Sequence, residues 1–172
     1  AGQMSMVLQE PFLYSEAVRS NIRFNHADVT DGQVLAAAKA VGADEFISRL
    51  PGGYDSVLEQ RGANLSMGQR ALVSMARAIV AEPRILILDE ATANMDSETE
   101  HRLQEALHTV LKGRTSLLIA HRLSTITGAD KIVVLEHGRI AEMGKHQELL
   151  TNGGVYASLY AMNFGEDVQF EG

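Results

Sequence analysis

The sequence has no cysteine, so no disulfide frames the fold and no thiolate serves as nucleophile or metal ligand, which fits a cytosolic protein. No apolar run approaches the ~18 residues needed to span a bilayer. The opening AGQMSMVLQEPF lacks the basic-then-apolar layout of a signal peptide; if the protein works at a membrane, the spanning part lies elsewhere. Basic residues are in the minority, 15 Lys+Arg against 22 Asp+Glu for a net charge of -7. That balance argues against a broad electrostatic grip on nucleic acid or anionic lipid and leaves room for a local phosphate site. Internal repeats, low-complexity blocks and interdomain linkers are missing as well. So is the phosphate cradle G-x-x-x-x-G-K-[ST]. The nearest run, Gly138 to His146, has one residue too many between its glycines and a histidine where Ser or Thr belongs. It reads as a hairpin strand entering a helix.

What is present is enough, at 172 residues, for one domain with a real core. Met4 to Leu8 is strand-like and starts abruptly, as in a chain entered midway, and Pro11 breaks it. After a turn at Asp31-Gly32, Val34, Leu35, Ala37, Ala38 and Val41 follow helical spacing up to Gly42. Phe46, Ile47 and Leu50 form a shorter apolar face that Pro51-Gly52-Gly53 ends. A polar link, Tyr54 to Asn64, leads to Ser66 at an N-cap position, followed by the stripe Leu72, Met75, Ala76, Ile79. Pro83 stops this helix. Ile85 to Leu88 is short, apolar and β-rich, as expected of a strand buried on both faces, and Asp89 and Glu90 stand at its end.

Beyond them, Ser97 with Glu100 makes a capping-box pattern ahead of the amphipathic stripe Leu103, Ala106, Leu107, Val110, Leu111. Gly113 closes that helix. Thr115 to Ala120 is a second short buried strand, ending at His121-Arg122. Lys131–Leu135 and Arg139–Met143 flank a hairpin signal at Glu136-His137-Gly138. Helices around Gln147–Leu150 and Val155–Met162 follow, then an acidic tail. The alternation of strand and helix after residue 84 gives an α/β class with a parallel sheet. Residues 12–80 form a helical insertion between two of its strands.

Each candidate site residue has an ordinary explanation when taken alone. Asp89 and Asp96 can cap helices, His121 can end a strand, and Gln9 can be a solvated loop residue. Leu65-Ser66-Met67-Gly68-Gln69 can be a plain helix start. It can also hold a phosphate, through backbone N–H groups and the positive end of the helix it opens. Neighbouring acids at the carboxyl end of a buried strand can divide the labour of holding Mg²⁺ and orienting a water.

The order and spacing of these pieces, Gln9, then LSMGQ, ILILDE, ANMD and AHRLST, resembles the ATP-binding cassette ATPases, the motor domains of ABC transporters. Gln9 in VLQEPF is similar to the Q-loop glutamine and Leu65–Gln69 to the LSGGQ signature. Ile85–Glu90 resembles Walker B with its catalytic glutamate, Ala93–Asp96 the D-loop, and His121 the switch histidine. QEPFLYSEAVRSNIRF, LPGGYDSVLEQRGANLS and the run from IAHRLSTI to GKHQELL resemble exporters whose ATPase is fused behind a membrane domain, with Gln60 where their X-loop commonly has glutamate.

The resemblance implies a partial P-loop NTPase sheet, carried by residues 1–11 and 81–172, with an inserted all-helical signature subdomain over 12–80. It implies catalytic roles for Glu90 and His121. Nucleotide contacts fall to Gln9, Ser66, Gly68, Gln69 and Asp96, and Mg²⁺ contacts to Asp89 and Gln9. ATP and Mg²⁺ would be the cofactors. The partners would be a second ABC ATPase domain, closing head to tail so that Ser66 and Gly68 serve the other chain's ATP, and a transmembrane domain fused upstream. No nucleic acid is expected, and the site of action is the cytoplasmic face of the cell membrane.

The departures are the missing Walker A half of a cassette, Met67 in place of the first signature glycine, and ANMD in place of the commoner SALD. They keep a second reading open, a non-hydrolysing regulatory half that completes a partner cassette's ATP site. A soluble ABC ATPase fits less well, given the acidic balance and the exporter-like Q-loop.

Overall fold

Three of the short apolar runs pair side by side in the computed structural model, which describes residues 3–8, 12–89, 97–120 and 123–164. Strands β1 (Met4–Val7), β2 (Ile85–Asp89) and β3 (Thr115–Ile119) form a parallel sheet in the order β1-β2-β3. Val7 lies opposite Leu88, and Leu88 opposite Leu118. Parallel strands cannot be joined by a tight turn and need crossovers. The first holds α1 (Val18–Arg23), α2 (Asp31–Ala40), α3 (Asp44–Ile47) and α4 (Met67–Ile79), and the second holds α5 (Ser97–Leu111). The class is therefore α/β.

Strand alternation sends Val7, Leu86 and Leu88 to one face of the sheet. There they join a core with Val18, Ile22, Val34, Ile47, Val73, Leu107 and Val110. The opposite face corrects an expectation. Met4, Met6, Ile85, Leu117 and Ile119 project from it and are exposed, Leu117 at 61%, so neither β2 nor β3 is buried on both faces. Within this unit, helices α1 to α5 pack on the Leu86–Leu88 side.

Local signals explain the helices. Thr30 Oγ1 accepts from the Gln33 N–H at 3.3 Å while Gln33 Oε1 accepts from the Thr30 N–H at 2.9 Å, a complete capping box. Asp31-Gly32 is consequently the first turn of α2 and not a turn ahead of it. Gly42 ends this helix with φ +72°, as its sequence position suggests. Helix α5 spans Ser97–Leu111, and Asp96 before it lies outside the described residues.

Residues up to Ile119 form one compact unit and residues from Ala120 a second. The second holds α6 (Leu123–Thr127), the antiparallel pair β4 (Ile132–Glu136) and β5 (Arg139–Gly144), α7 (His146–Asn152) and α8 (Val155–Phe164). The hairpin turns through His137 and Gly138, both with positive φ, 49° and 76°, the geometry whose twist matches that of paired strands. Val134, Leu149 and Tyr156 are its buried centre. Gly138 to His146, the near miss for a phosphate cradle, is β5 running into α7.

Candidate functional site

Helix α4 opens with a turn whose shape is set within four residues. Ser66 has extended backbone (φ -65°, ψ 163°), and its Oγ accepts from the Gln69 N–H at 3.2 Å. In return Gln69 Oε1 accepts from the Ser66 N–H at 2.9 Å. The Arg70 N–H donates to the Ser66 carbonyl at 3.0 Å. That accounts for three of the donors at this terminus. Among the described residues, the N–H groups of Met67 and Gly68 have no acceptor, as the start of a helix requires. Ser66 is exposed and its hydroxyl hydrogen is still available. Two outward amides, one hydroxyl and the positive end of a 13-residue helix suit a phosphate.

The two residues between Ser66 and Gln69 differ sharply. Met67 is 49% exposed and lies outside the buried core. Gly68 is buried, and a Cβ there would collide with Thr99 Cγ2 in the first turn of α5. The absence of a side chain at residue 68 thus lets α4 and α5 approach at their N-termini, and it brings the LSMGQ turn beside a helix that starts immediately after Asp96.

The approach to this turn is held from behind. Arg61 and Gly62 both take left-handed backbone, φ 58° and 69°, and a Cβ on Gly62 would meet Leu13 Cδ1 at 2.9 Å. Asn64 Oδ1 accepts from the Glu59 N–H at 3.0 Å, and Arg70 Nη1 donates to the Leu65 carbonyl at 3.1 Å. Further back, Tyr54 donates to Asp44 Oδ1 at 2.7 Å. Burial first, and the adjacent Asp44 carboxylate second, raise the Tyr54 phenol above its ordinary range.

Asp89 is the last residue of β2, opposite Ile119 in the register. By alternation it shares the face of Ile85 and Ile87, the side left open. Of the predicted site residues the structure gathers Ser66, Gly68 and Gln69 into one turn, with no hydrogen bond joining them to Asp89 among the described residues. Gln9, Glu90, Asp96 and His121 lie outside the described residues. No cluster of three metal-ligating side chains occurs among those described, and of the two residues expected to hold a cation only Asp89 lies among the described ones. A single carboxylate suits Mg²⁺, which commonly takes one or two together with water and phosphate oxygens. A concavity of about 540 Å³ in the second unit, lined by Thr127, Ala129, Lys145, His146, Gln147 and Glu148, contains none of the predicted residues.

Two residues of structural consequence were missed by sequence reasoning. Asn21 is 1% exposed, and Arg77 bonds to it across the core. A signal for Asn21 existed: Val18, Asn21 and Ile22 stand at i, i+3 and i+4, placing a polar side chain on the buried stripe of α1.

Comparison with known proteins supplies the context. The family model described as ABC transporter matches residues 1–93. The chain is 53% identical over 167 residues to YknV, an uncharacterised ABC transporter ATP-binding protein of Bacillus subtilis (strain 168), covering 97% of this chain and 28% of that protein. It is 53% identical over 158 residues to the ATP-dependent lipid A-core flippase of Legionella pneumophila (strain Philadelphia 1), covering 92% and 27% respectively. Among solved structures it is similar to a bacterial Atm1-family ABC exporter with ATP bound, with TM-score 0.83 and 37% identity over 99% of this chain and 29% of that one. The chain spans less than a third of the length of each of these relatives. No described helix is long and apolar enough to cross a membrane.

Proposed function

Because this chain belongs to the ABC transporter family, we propose that it is the carboxy-terminal part of an exporter's ATP-binding domain, which hydrolyses ATP to drive export across a membrane. The Ser66–Gln69 turn carries this reading: a capped helix start with two outward amides, in the sequence position of the family signature, on a chain that shares its fold with an ATP-bound exporter. ATP, with Mg²⁺ on its phosphates, supplies the phosphoryl group that passes to water. Asp89 and Gln9 would hold the cation, Glu90 would act as base or orient the attacking water, His121 would contact the terminal phosphate, and Asp96 would contribute to nucleotide binding. Ser66, Gly68 and Gln69 act on the ATP of a second cassette. Positioning and charge stabilisation of this kind is most of what phosphoryl transfer requires.

In this reading residues 12–80 are a helical subdomain, residues 1–11 and 81–172 belong to the α/β core, and the membrane part precedes the chain in the same polypeptide. Support for that partner comes from a row of exposed aromatics. Phe12 stands edge-on to Tyr14 at 4.9 Å between centroids, and Tyr14 stacks on Phe24 at 5.6 Å. All three remain exposed. Contiguous aromatic surface of this kind marks interaction sites. Its proposed place is the cytoplasmic face of the membrane.

Measuring ATP turnover by the full-length protein with Glu90→Gln tests the assignment. Hydrolysis is expected to fall by at least about 100-fold, as for loss of a group that handles the water's proton. Met67, exposed at the phosphate-facing turn, favours a second reading in which this cassette completes a partner's site without hydrolysing ATP itself. Unchanged turnover in Glu90→Gln would support that alternative.

A further inference from the structure

Arg77 lies in α4, well back from the Ser66 turn, and among the described residues its guanidinium bonds to neutral acceptors of another segment. Nε donates to the Asn21 carbonyl at 2.7 Å, Nη1 to the Phe12 carbonyl at 2.8 Å, and Nη2 to Asn21 Oδ1 at 3.0 Å. Its carbon also stands 5.1 Å from the centroid of the Phe24 ring. Asn21 carries the grip onward. Its Oδ1 accepts from the Tyr14 N–H at 2.8 Å, and its Nδ2 reaches the carbonyls of Tyr14, Glu16 and Ala17 at 3.0, 3.3 and 3.2 Å. Burial lowers the Arg77 pKa from its ordinary value, as desolvation of a cation must.

Among the described residues no carboxylate pairs with this half-buried cation, and for stability alone an apolar side chain of similar size commonly serves a core as well. What the planar fork adds is direction: several donors in fixed geometry, fitted at once to Phe12 and Asn21. The segment so held is the one whose outer surface is the aromatic row Phe12, Tyr14 and Phe24. The helix that holds it begins with the Ser66–Gln69 turn. Apart from packing in α1, these hydrogen bonds are the described polar tie between the two.

We infer that Arg77 is a positioning residue that makes residues 12–24 and α4 move as one body, so that displacement of the aromatic face reaches the phosphate-facing turn. The inference rests on the proposed function, in which that face meets the membrane part and that turn meets ATP. Arg77 itself touches neither.

Hydrogen exchange of the full-length protein, with and without MgATP plus orthovanadate, tests it. In the unaltered protein, trapping is expected to slow exchange in both 64–72 and 12–24. In Arg77→Met the change is expected to persist in 64–72 and to be lost in 12–24. A merely structural role would raise basal exchange in 12–24 without abolishing its response to the trap. Should Arg77→Met fail to accumulate, Arg77→Lys serves, since an ammonium cannot reproduce the fork; its 12–24 response is expected to be smaller than that of the unaltered protein. A full 12–24 response in whichever variant is measured overturns the inference. So does a trapped unaltered protein silent in 12–24, or loss of the response at both segments in Arg77→Met, which would place Arg77 in formation of the ATP site. An unaltered protein that responds nowhere removes the ATPase reading first, and the inference with it.

Discussion

Ser66 offers a perturbation in which fold and function separate. Its Oγ closes the capping box onto the Gln69 N–H, and its exposed side faces the position assigned to phosphate. Alanine removes the cap, which costs about 1 kcal/mol of helix stability. It also removes a hydroxyl donor to a charged acceptor, worth ~1.5–3 kcal/mol or roughly 10- to 100-fold in affinity. Aspartate behaves differently. It caps as well as serine and its charge suits the helix N-terminus, so stability is expected to stay within about 0.5 kcal/mol of the original. A carboxylate ~4 Å from a phosphate oxygen costs between about 1 kcal/mol in water-like surroundings and about 4 kcal/mol at an effective dielectric constant near 20. That is roughly 5- to 1,000-fold in ATP affinity, least at high salt. Hydrogen exchange of 66–72 and the ATP dependence of turnover, both in the full-length protein, measure the two effects. Exchange should be fastest in Ser66→Ala and near normal in Ser66→Asp, while ATP dependence should be impaired in both. Normal ATP dependence in Ser66→Asp would refute the reasoning and leave the turn a purely structural cap.

Gly68→Ala gains about 1 kcal/mol of helix propensity but meets Thr99 Cγ2, an overpacking worth ~1–3 kcal/mol; a lowered melting temperature checks the net loss. Met67→Gly, at an exposed position, should cost no more than about 1 kcal/mol in the same melt. Tyr54→Phe removes the bond to Asp44, at a cost of about 1 kcal/mol near neutral pH. Because the folded-state pKa of Tyr54 is raised, its stabilisation is complete below the unfolded value near 10 and is lost as pH rises beyond it. Alkaline unfolding curves of the phenylalanine variant should therefore be flatter above about pH 10. The isolated 172-residue chain contains no Walker A sequence, and calorimetry should find no micromolar binding of MgATP. With Met4, Met6, Leu117 and Ile119 exposed on one sheet face, sedimentation should find it self-associated.

The elements that could be read in advance are those whose determinants are local. Ser66 as a cap, the stripe of α4, Gly42 as a stop and the His137-Gly138 hairpin each depend on residues within a few positions of one another. The open side of the sheet was not legible, because Ile87 and Leu117 carry the same apolar character whether or not a helix lies over them. Neither was the Arg77–Asn21 tie, 56 residues apart in sequence, nor the fit of Gly68 against Thr99. Those depend on which helix packs on which. For the candidate site, the motif order led to Ser66, Gly68 and Gln69, which the structure gathers in one turn. The same order selected Gln9, Glu90, Asp96 and His121, which lie outside the described residues.

Helix α4 is also a lever. From Arg77 to Ser66 is eleven residues, or about 16 Å of rigid helix. A tilt of about 5° at the buried end therefore sweeps the exposed end through about 1.4 Å, within the range of known helix shifts. A misplacement of about 1 Å can already cost a reacting group two orders of magnitude in rate. The length of this helix thus lets a movement too small to disturb the core shift the turn proposed to hold a phosphate by more than an ångström.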